Sequence, residues 1–410
     1  MTTLKSTMRL EHIATPALVL DLDRAERNCA AMIQRAKKHG VALRPHLKTA
    51  KSADIARLAT RGQGGGITVS TLAEVDYFAQ HGFRDITYAV GIAEGKLDAL
   101  VKLQRLHGLT LTLLADHPNT VLALARRAED LGAEFALLIE IDCGGGRGGV
   151  LPDGQELLSL ARAVHASPAL HLAGVLTHAG HSYKEPGADA IAAVAETERA
   201  AAVLAATRLR EAGFAVQVVS VGSTPTAVHA RNMEGVTEMR PGVYTLFDLD
   251  QVALGSCSLA DIAASVLATV IGHNPRSQRV LIDAGALALS KDLSANEFGT
   301  DFGYGLVCPI HGGVPIDGLR VAEVHQEHGF IAGRGSCEEL FAQLPIGARV
   351  RILPHHACMT VAPYSHFNVV RAGSTEVIAR CHKATGWHKH TGHSECASNM
   401  DDSEAAYSGL

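Results

Sequence analysis

Aromatic residues make up only 4% of this 410-residue chain, so its core must be built mainly from leucine, valine, isoleucine and alanine. No stretch approaches the roughly 18 consecutive apolar residues of a membrane-spanning helix, and Met1 to His12 lacks the apolar centre of a secretory signal. The eight cysteines show no disulfide-like spacing, which points to reduced thiols and a cytoplasmic enzyme. A basic stripe is also missing. With 37 Lys and Arg against 42 Asp and Glu, net charge −5, neither nucleic acid nor an anionic membrane is an expected partner. No Gly-x-Gly-x-x-Gly follows the first apolar run, which removes the main support for a dinucleotide-binding open sheet.

What is present is alternation. Short apolar runs predict strands at Ala17–Leu22, Leu43–His46, Gly66–Ser70, Asp85–Ala89, Thr110–Ala115, Ala136–Asp142, Leu172–Leu176 and Gln217–Val221. Longer Ala/Leu-rich segments between them, such as Arg24–His39 and Ala188–Ala212, predict helices. Eight such pairs over residues 15–250 are the count of an α/β TIM (β/α)8 barrel. Past Tyr244 the texture becomes β-rich with Gly and Pro turns, which predicts a mostly antiparallel β domain over 255–380. Residues 1–14 could add a strand to that domain. From 383 to 410 the chain is polar and aperiodic and reads as a disordered or loosely attached tail.

In a barrel the reactive groups sit at the C-terminal ends of the strands. Lys48 follows such an end in Arg44-Pro45-His46-Leu47-Lys48-Thr49. Partial burial and the neighbouring Arg44 and Lys51 would disfavour its ammonium form, as Schiff-base chemistry requires. Gly144-Gly145-Gly146-Arg147 allows close approach of a ligand and offers a cation, although a flexible loop with a solvated arginine fits equally well. His178, His181 and Tyr183 cluster at one strand end. Gly222-Ser223-Thr224 follows another strand and could cradle a phosphate with N–H groups and hydroxyls. Gly242, Val243 and Tyr244 could complete that cradle with further N–H donors and a phenol. On an extended segment His356 and Cys358 would share one face, a pair suited to Zn2+. A buried cysteine beside a core histidine would read the same way.

Taken as an ordered set, these residues resemble the fold-type III pyridoxal-phosphate enzymes, which include alanine racemase. The nearer likeness is to the branch of D-serine dehydratase, D-threo-3-hydroxyaspartate dehydratase and D-threonine aldolase. It rests on Arg-Pro-His-x-Lys-Thr at 44–49, Thr-His-Ala-Gly-x-Ser-Tyr at 177–183, Gly-Ser-Thr-Pro-Thr at 222–226, Asp-Phe-Gly-Tyr-Gly at 301–305, Gln-Glu-His-Gly at 326–329 and His-x-Cys at 356–358. The resemblance implies pyridoxal 5'-phosphate carried on Lys48, with Gly222, Ser223, Thr224, Gly242 and Val243 at its phosphate. Tyr183 and His178 would line the cofactor and Arg147 would approach the pyridine nitrogen. A divalent metal would sit on His356 and Cys358, most readily Zn2+, with Mn2+ and Mg2+ as alternatives. It further implies a homodimer and a D-3-hydroxy amino acid as substrate, dehydrated to an α-keto acid and ammonia. The aldolases of this branch typically carry Asp where Cys358 stands, so retro-aldol cleavage to glycine and an aldehyde is the alternative.

Overall fold

The computed structural model describes residues 1–64 and 66–388. Among them, eight parallel strands form one sheet in the order Ala42–Leu43, Glu238–Met239, Val218–Val221, Leu170–Thr177, Phe135–Ile141, Thr110–Ala115, Asp85–Tyr88, Ile67–Val69. The two ends of this series meet at a parallel bridge between His46 and Thr68, which closes the barrel. Alternate strand residues face opposite ways. Leu113, Leu137 and Val175 join the large cluster shared with the surrounding helices. Leu114, Leu138 and Leu176 form a separate cluster with Ala89 packed on it. Ala89 and Leu176 in turn line a cavity at the strand ends, so the packed interior is the floor of a site.

The expected count of eight strands is right, but its membership is not. Ala17–Asp21, read as the first barrel strand, belongs to the other domain, where it pairs antiparallel with Ala264–Asn274 and parallel with His366–Val370. All five of its residues are buried, so its apolar run carries no trace of which sheet it joins. The missing barrel strand is Glu238–Met239, whose two residues are too short to leave a periodic signal.

The second domain is a ten-stranded sheet, antiparallel except where Ala17–Asp21 meets His366–Val370. Its edge strand is Thr2–Arg9, paired antiparallel with Glu376–His382. A core of Val266, Val280, Ile282, Val321, Ile331 and Ile352 lies between its faces. Residues 383–388, expected to belong to a loose tail, lie against the barrel side. Lys383 is buried with its ammonium on the carbonyls of Val361 and Tyr364. Ala384 N–H donates to Lys51 O (2.8 Å) and Trp387 O accepts from Ala73 N–H (3.3 Å). The remainder of that expected tail, 389–410, lies outside the described residues.

Candidate active site

Six consecutive barrel elements deliver their C-terminal ends to one place: Lys48, Ser70, Arg147, His178, Gly222 and Arg240 border a common cavity of about 300 Å3. Lys48 is exposed in the single chain rather than partly buried. The two cations expected to act on it are engaged elsewhere. Arg44 grips Asp85 (2.9 Å) and Glu238 (2.8 Å), while Lys51 pairs with the buried Glu74 (2.7 Å). The cations that do border the cavity beside Lys48 are Arg147 and Arg240, with Glu140 as the acid among its lining residues.

His178 donates from Nδ1 to the carbonyl of Gly222 (2.8 Å), because a carbonyl can only accept. Its Nε2 is therefore the unprotonated nitrogen. Burial, with Lys48 adding to it, pushes the imidazole down to about 3, so the ring is neutral at any physiological pH. His46 is likewise held far below the usual imidazole range by burial and Lys48.

Arg240 is the fixed cation of the floor. It donates to Thr177 O (2.6 Å) and Val221 O (3.3 Å) and also contacts the Ser220 hydroxyl. Burial lowers its guanidinium to about 10, opposed by Glu238, Glu198 and Glu140, so it stays charged. Arg147 lies at the rim, 62% exposed, 3.5 Å from Glu140. Glu198 is buried beneath the loop and accepts from the N–H groups of Ala179 (2.8 Å) and Gly222 (3.0 Å). Burial raises its carboxyl.

The cradle segment folds tightly. Gly222 has φ +129°, and a Cβ there would lie 2.8 Å from Arg240 N. At Gly242 a Cβ would lie 2.7 Å from His46 O. Only glycine lets these loops close on one another. Thr224 Oγ1 accepts from the N–H groups of Gly242 (3.2 Å) and Tyr244 (3.3 Å), tying the two loops together. Ser223 caps its own helix in a box with Thr226. The phenol of Tyr244, expected at the cradle, is instead fully buried near Cys29 on the helix Leu22–His39, with no hydrogen-bond partner among the described residues. Only its backbone N–H reaches the loop.

A second cavity of about 300 Å3 shares Lys48 and His178 with the first and adds Tyr183, Asp248, His356 and Cys358. His356 and Cys358 do meet, but not on an extended segment. His356 caps the helix Ala357–Val361 and Cys358 lies within it. Cys358 Sγ is 3.0 Å from Thr49 Oγ1, and His356 Nδ1 is 2.6 Å from Asp292 Oδ2. Burial alone would lower the His356 imidazole, but Cys358, Asp248 and Asp292 outweigh it and bring it to about 10. Burial and Asp250 raise Asp248 to about 7, although the N–H groups of Gln251 (2.9 Å) and Ala357 (2.8 Å) bind its carboxylate. Tyr183 is pushed well up by burial and by Cys358.

These residues suit the implied groups. A lysine, a flat neutral imidazole, a fixed guanidinium and loops tight enough to require glycine match a flat anionic carbonyl cofactor. A thiol and an imidazole edge beside carboxylates match a borderline-soft cation. No group of three or more histidine, cysteine or acidic residues placed to hold a metal occurs among the described residues.

The alanine racemase N-terminal domain model matches residues 20–250, and the model described as "Putative serine dehydratase domain" matches 263–370. The D-threo-3-hydroxyaspartate dehydratase of Delftia sp. is 44% identical over 377 residues, covering 91% of this chain and 98% of the relative. The chain belongs to this family. The D-serine dehydratase of Dictyostelium discoideum, another relative, is 32% identical over 388 residues, 88% of this chain and 94% of that one. Among solved structures, a metal-free Cys-to-Ala variant of a D-threo-3-hydroxyaspartate dehydratase superposes with TM-score 0.88 at 42% identity, covering 93% of this chain and all of that one. The D-threonine aldolase of Filomicrobium marinum superposes with TM-score 0.79 at 26% identity, covering 93% and 98%. Alanine racemases at 13–14% identity share the fold. Glu198, Asp248 and Asp292, not singled out from the sequence, and Thr49, there only the last letter of the Lys48 motif, are brought to these cavities or their walls by the fold. The three acids lie on segments whose letters give no chemical signal alone.

Proposed function

We propose that the protein is a pyridoxal-phosphate- and metal-dependent dehydratase that converts a D-3-hydroxy amino acid to an α-keto acid and ammonia. The observation that carries this reading is the sharing of Lys48 and His178 by two cavities, one with a cationic, glycine-bounded floor, the other with an imidazole and a thiol. When bound, the cofactor supplies an electron sink at Cα and the metal, Zn2+ by the softness of Cys358, a Lewis acid at the β-hydroxyl.

Lys48 Nζ anchors the cofactor and takes the Cα proton. Gly222, Ser223, Thr224, Gly242 and Val243 hold the phosphate, with the Thr224 hydroxyl fixing the spacing of the two loops. His178 and Tyr183 line the cofactor, and Arg240 below and Arg147 at the rim supply cations. His356 and Cys358 hold the metal. Breaking Cα–H and Cβ–O releases water and an enamine, which hydrolyses to the α-keto acid and ammonia. Exposure of Lys48 in the single chain supports a homodimer in which a partner covers the site. The letters at 356–358 favour the dehydratase over the aldolase reading.

The test is product analysis on D-serine, D-threonine and D-threo-3-hydroxyaspartate, with and without chelator. Pyruvate, 2-oxobutanoate or oxaloacetate with ammonia, lost on chelation, supports the proposal. Glycine with an aldehyde would move it to the aldolases.

A further inference from the structure

The two residues proposed to hold the metal each have a dedicated polar neighbour. His356 Nδ1 lies 2.6 Å from Asp292 Oδ2, and a carboxylate oxygen can only accept, so Nδ1 carries the proton and Nε2 is left for a cation. Asp248 also lies near His356, but its two oxygens already accept from Gln251 and Ala357 N–H groups. Asp292 is thus the carboxylate in position to orient the ring. Cys358 Sγ lies 3.0 Å from the hydroxyl of Thr49, which is buried and directly follows Lys48. With a metal on the sulfur the thiol would be a thiolate, which can only accept, so the Thr49 hydroxyl would donate to it and tie it to the turn that bears the lysine.

We infer that Asp292 and Thr49 are positioning residues for the metal pair: Asp292 sets the His356 tautomer and ring orientation, and Thr49 fixes the Cys358 sulfur against the Lys48 turn. The inference rests on the metal reading proposed above. Partners of this kind are worth about 10- to 100-fold in metal affinity in histidine-ligated sites. They also fix where the cation stands relative to Lys48, since Thr49 is covalently next to it.

The experiment uses the full chain, stripped with chelator, in five forms: wild type, His356→Ala, Asp292→Ala, Asp292→Asn and Thr49→Val. Zn2+ affinity is read by competition with a chromophoric chelator, and Co2+ loading by the thiolate-to-cobalt charge-transfer absorption. The visible absorption of the lysine-bound cofactor checks that the fold and the Lys48 side are intact. Asp292→Ala should weaken Zn2+ about 10- to 100-fold, with Asp292→Asn falling between it and wild type and the cofactor absorption unchanged. Thr49→Val should shift the cobalt–thiolate band. Wild-type affinity in Asp292→Ala, with affinity lost in His356→Ala, would overturn the role of Asp292 and leave the metal reading standing. Loss in Asp292→Ala as deep as in His356→Ala would make Asp292 a ligand, which also overturns it. An unshifted band in Thr49→Val removes Thr49. Absence of metal binding by the wild type removes both the inference and the metal reading.

Discussion

The two cavities that meet at Lys48 are built by different means. On the barrel side the shape is set by backbone: at Gly222 and Gly242 the loops come so close that an added Cβ would lie less than 3 Å from the neighbouring main chain, and Arg240 is pinned by main-chain carbonyls. The histidines there, His46 and His178, are driven to neutrality by burial. On the β-domain side the shape is set by side chains from distant segments. There burial, with Asp250 adding to it, raises Asp248 to about 7, while the His356 imidazole is brought to about 10. A rigid, electrically settled pocket thus faces a titratable one. Binding a cofactor in one place suits the first, and exchanging protons and a cation suits the second.

The sharpest way to break this comparison is to remove the residue both cavities share. Lys48→Ala should lower turnover by about 1000-fold or more, since both the covalent anchor and the Cα base are lost. The visible absorption of the lysine-bound cofactor should vanish as well. Retention of that absorption together with activity would move the centre of the site elsewhere. Next in size is the backbone. Gly222→Ala places a Cβ 2.8 Å from Arg240 N at φ +129°, and we expect about 2–4 kcal/mol of lost stability in chemical denaturation. Cofactor affinity should fall with it. A Gly222→Ala protein with unchanged midpoint and cofactor affinity would show that the barrel side is softer than its contacts indicate.

The same division explains what was legible in the sequence. Gly222, Gly242 and Lys48 stand out because a strand end followed by glycine or a reactive lysine is a local pattern, readable without the fold. Asp292 and Asp248 are isolated acids in segments separated from His356 by 64 and 108 residues, so no local spacing could pair them. Ala17–Asp21 shows the limit for the fold itself. A five-residue buried strand looks alike in either sheet, and its partners, Ala264–Asn274 and His366–Val370, are hundreds of residues away. Tyr244 shows the limit for a side chain, because the backbone after Gly242 turns its ring into the core while its N–H stays at the cradle.

Arg44 separates structure from chemistry. Its guanidinium binds Asp85 and Glu238 with a side chain only 14% exposed, and it is not among the residues lining either cavity. Arg44→Met strands two carboxylates and should cost about 1–3 kcal/mol in stability. If Arg44 has no electrostatic hold on Lys48, kcat should stay within about twofold of wild type. A large fall in kcat at unchanged stability would restore Arg44 as a functional neighbour of the lysine.

The smallest expected effect lies at the junction of the two sides. Lys383 is buried with its ammonium on Val361 O and Tyr364 O, at the end of the helix that bears Cys358, and Ala384 bonds Lys51 O in the Lys48 turn. Burial, with Lys51 adding to it, lowers this lysine from 10.5 to about 7. The folded protein therefore binds fewer protons than the unfolded chain between about pH 7 and 10. Stability from this group is present at high pH and is lost as the pH falls toward 7. The slope should be at most about 1 kcal/mol per pH unit, because the two carbonyls offset part of the charge's burial cost. Lys383→Met should flatten the rise of melting temperature with pH across that window, measured by calorimetry on wild type and variant side by side. An equal slope in both proteins would mean that Lys383 stays protonated throughout, and that its two carbonyls outweigh its burial.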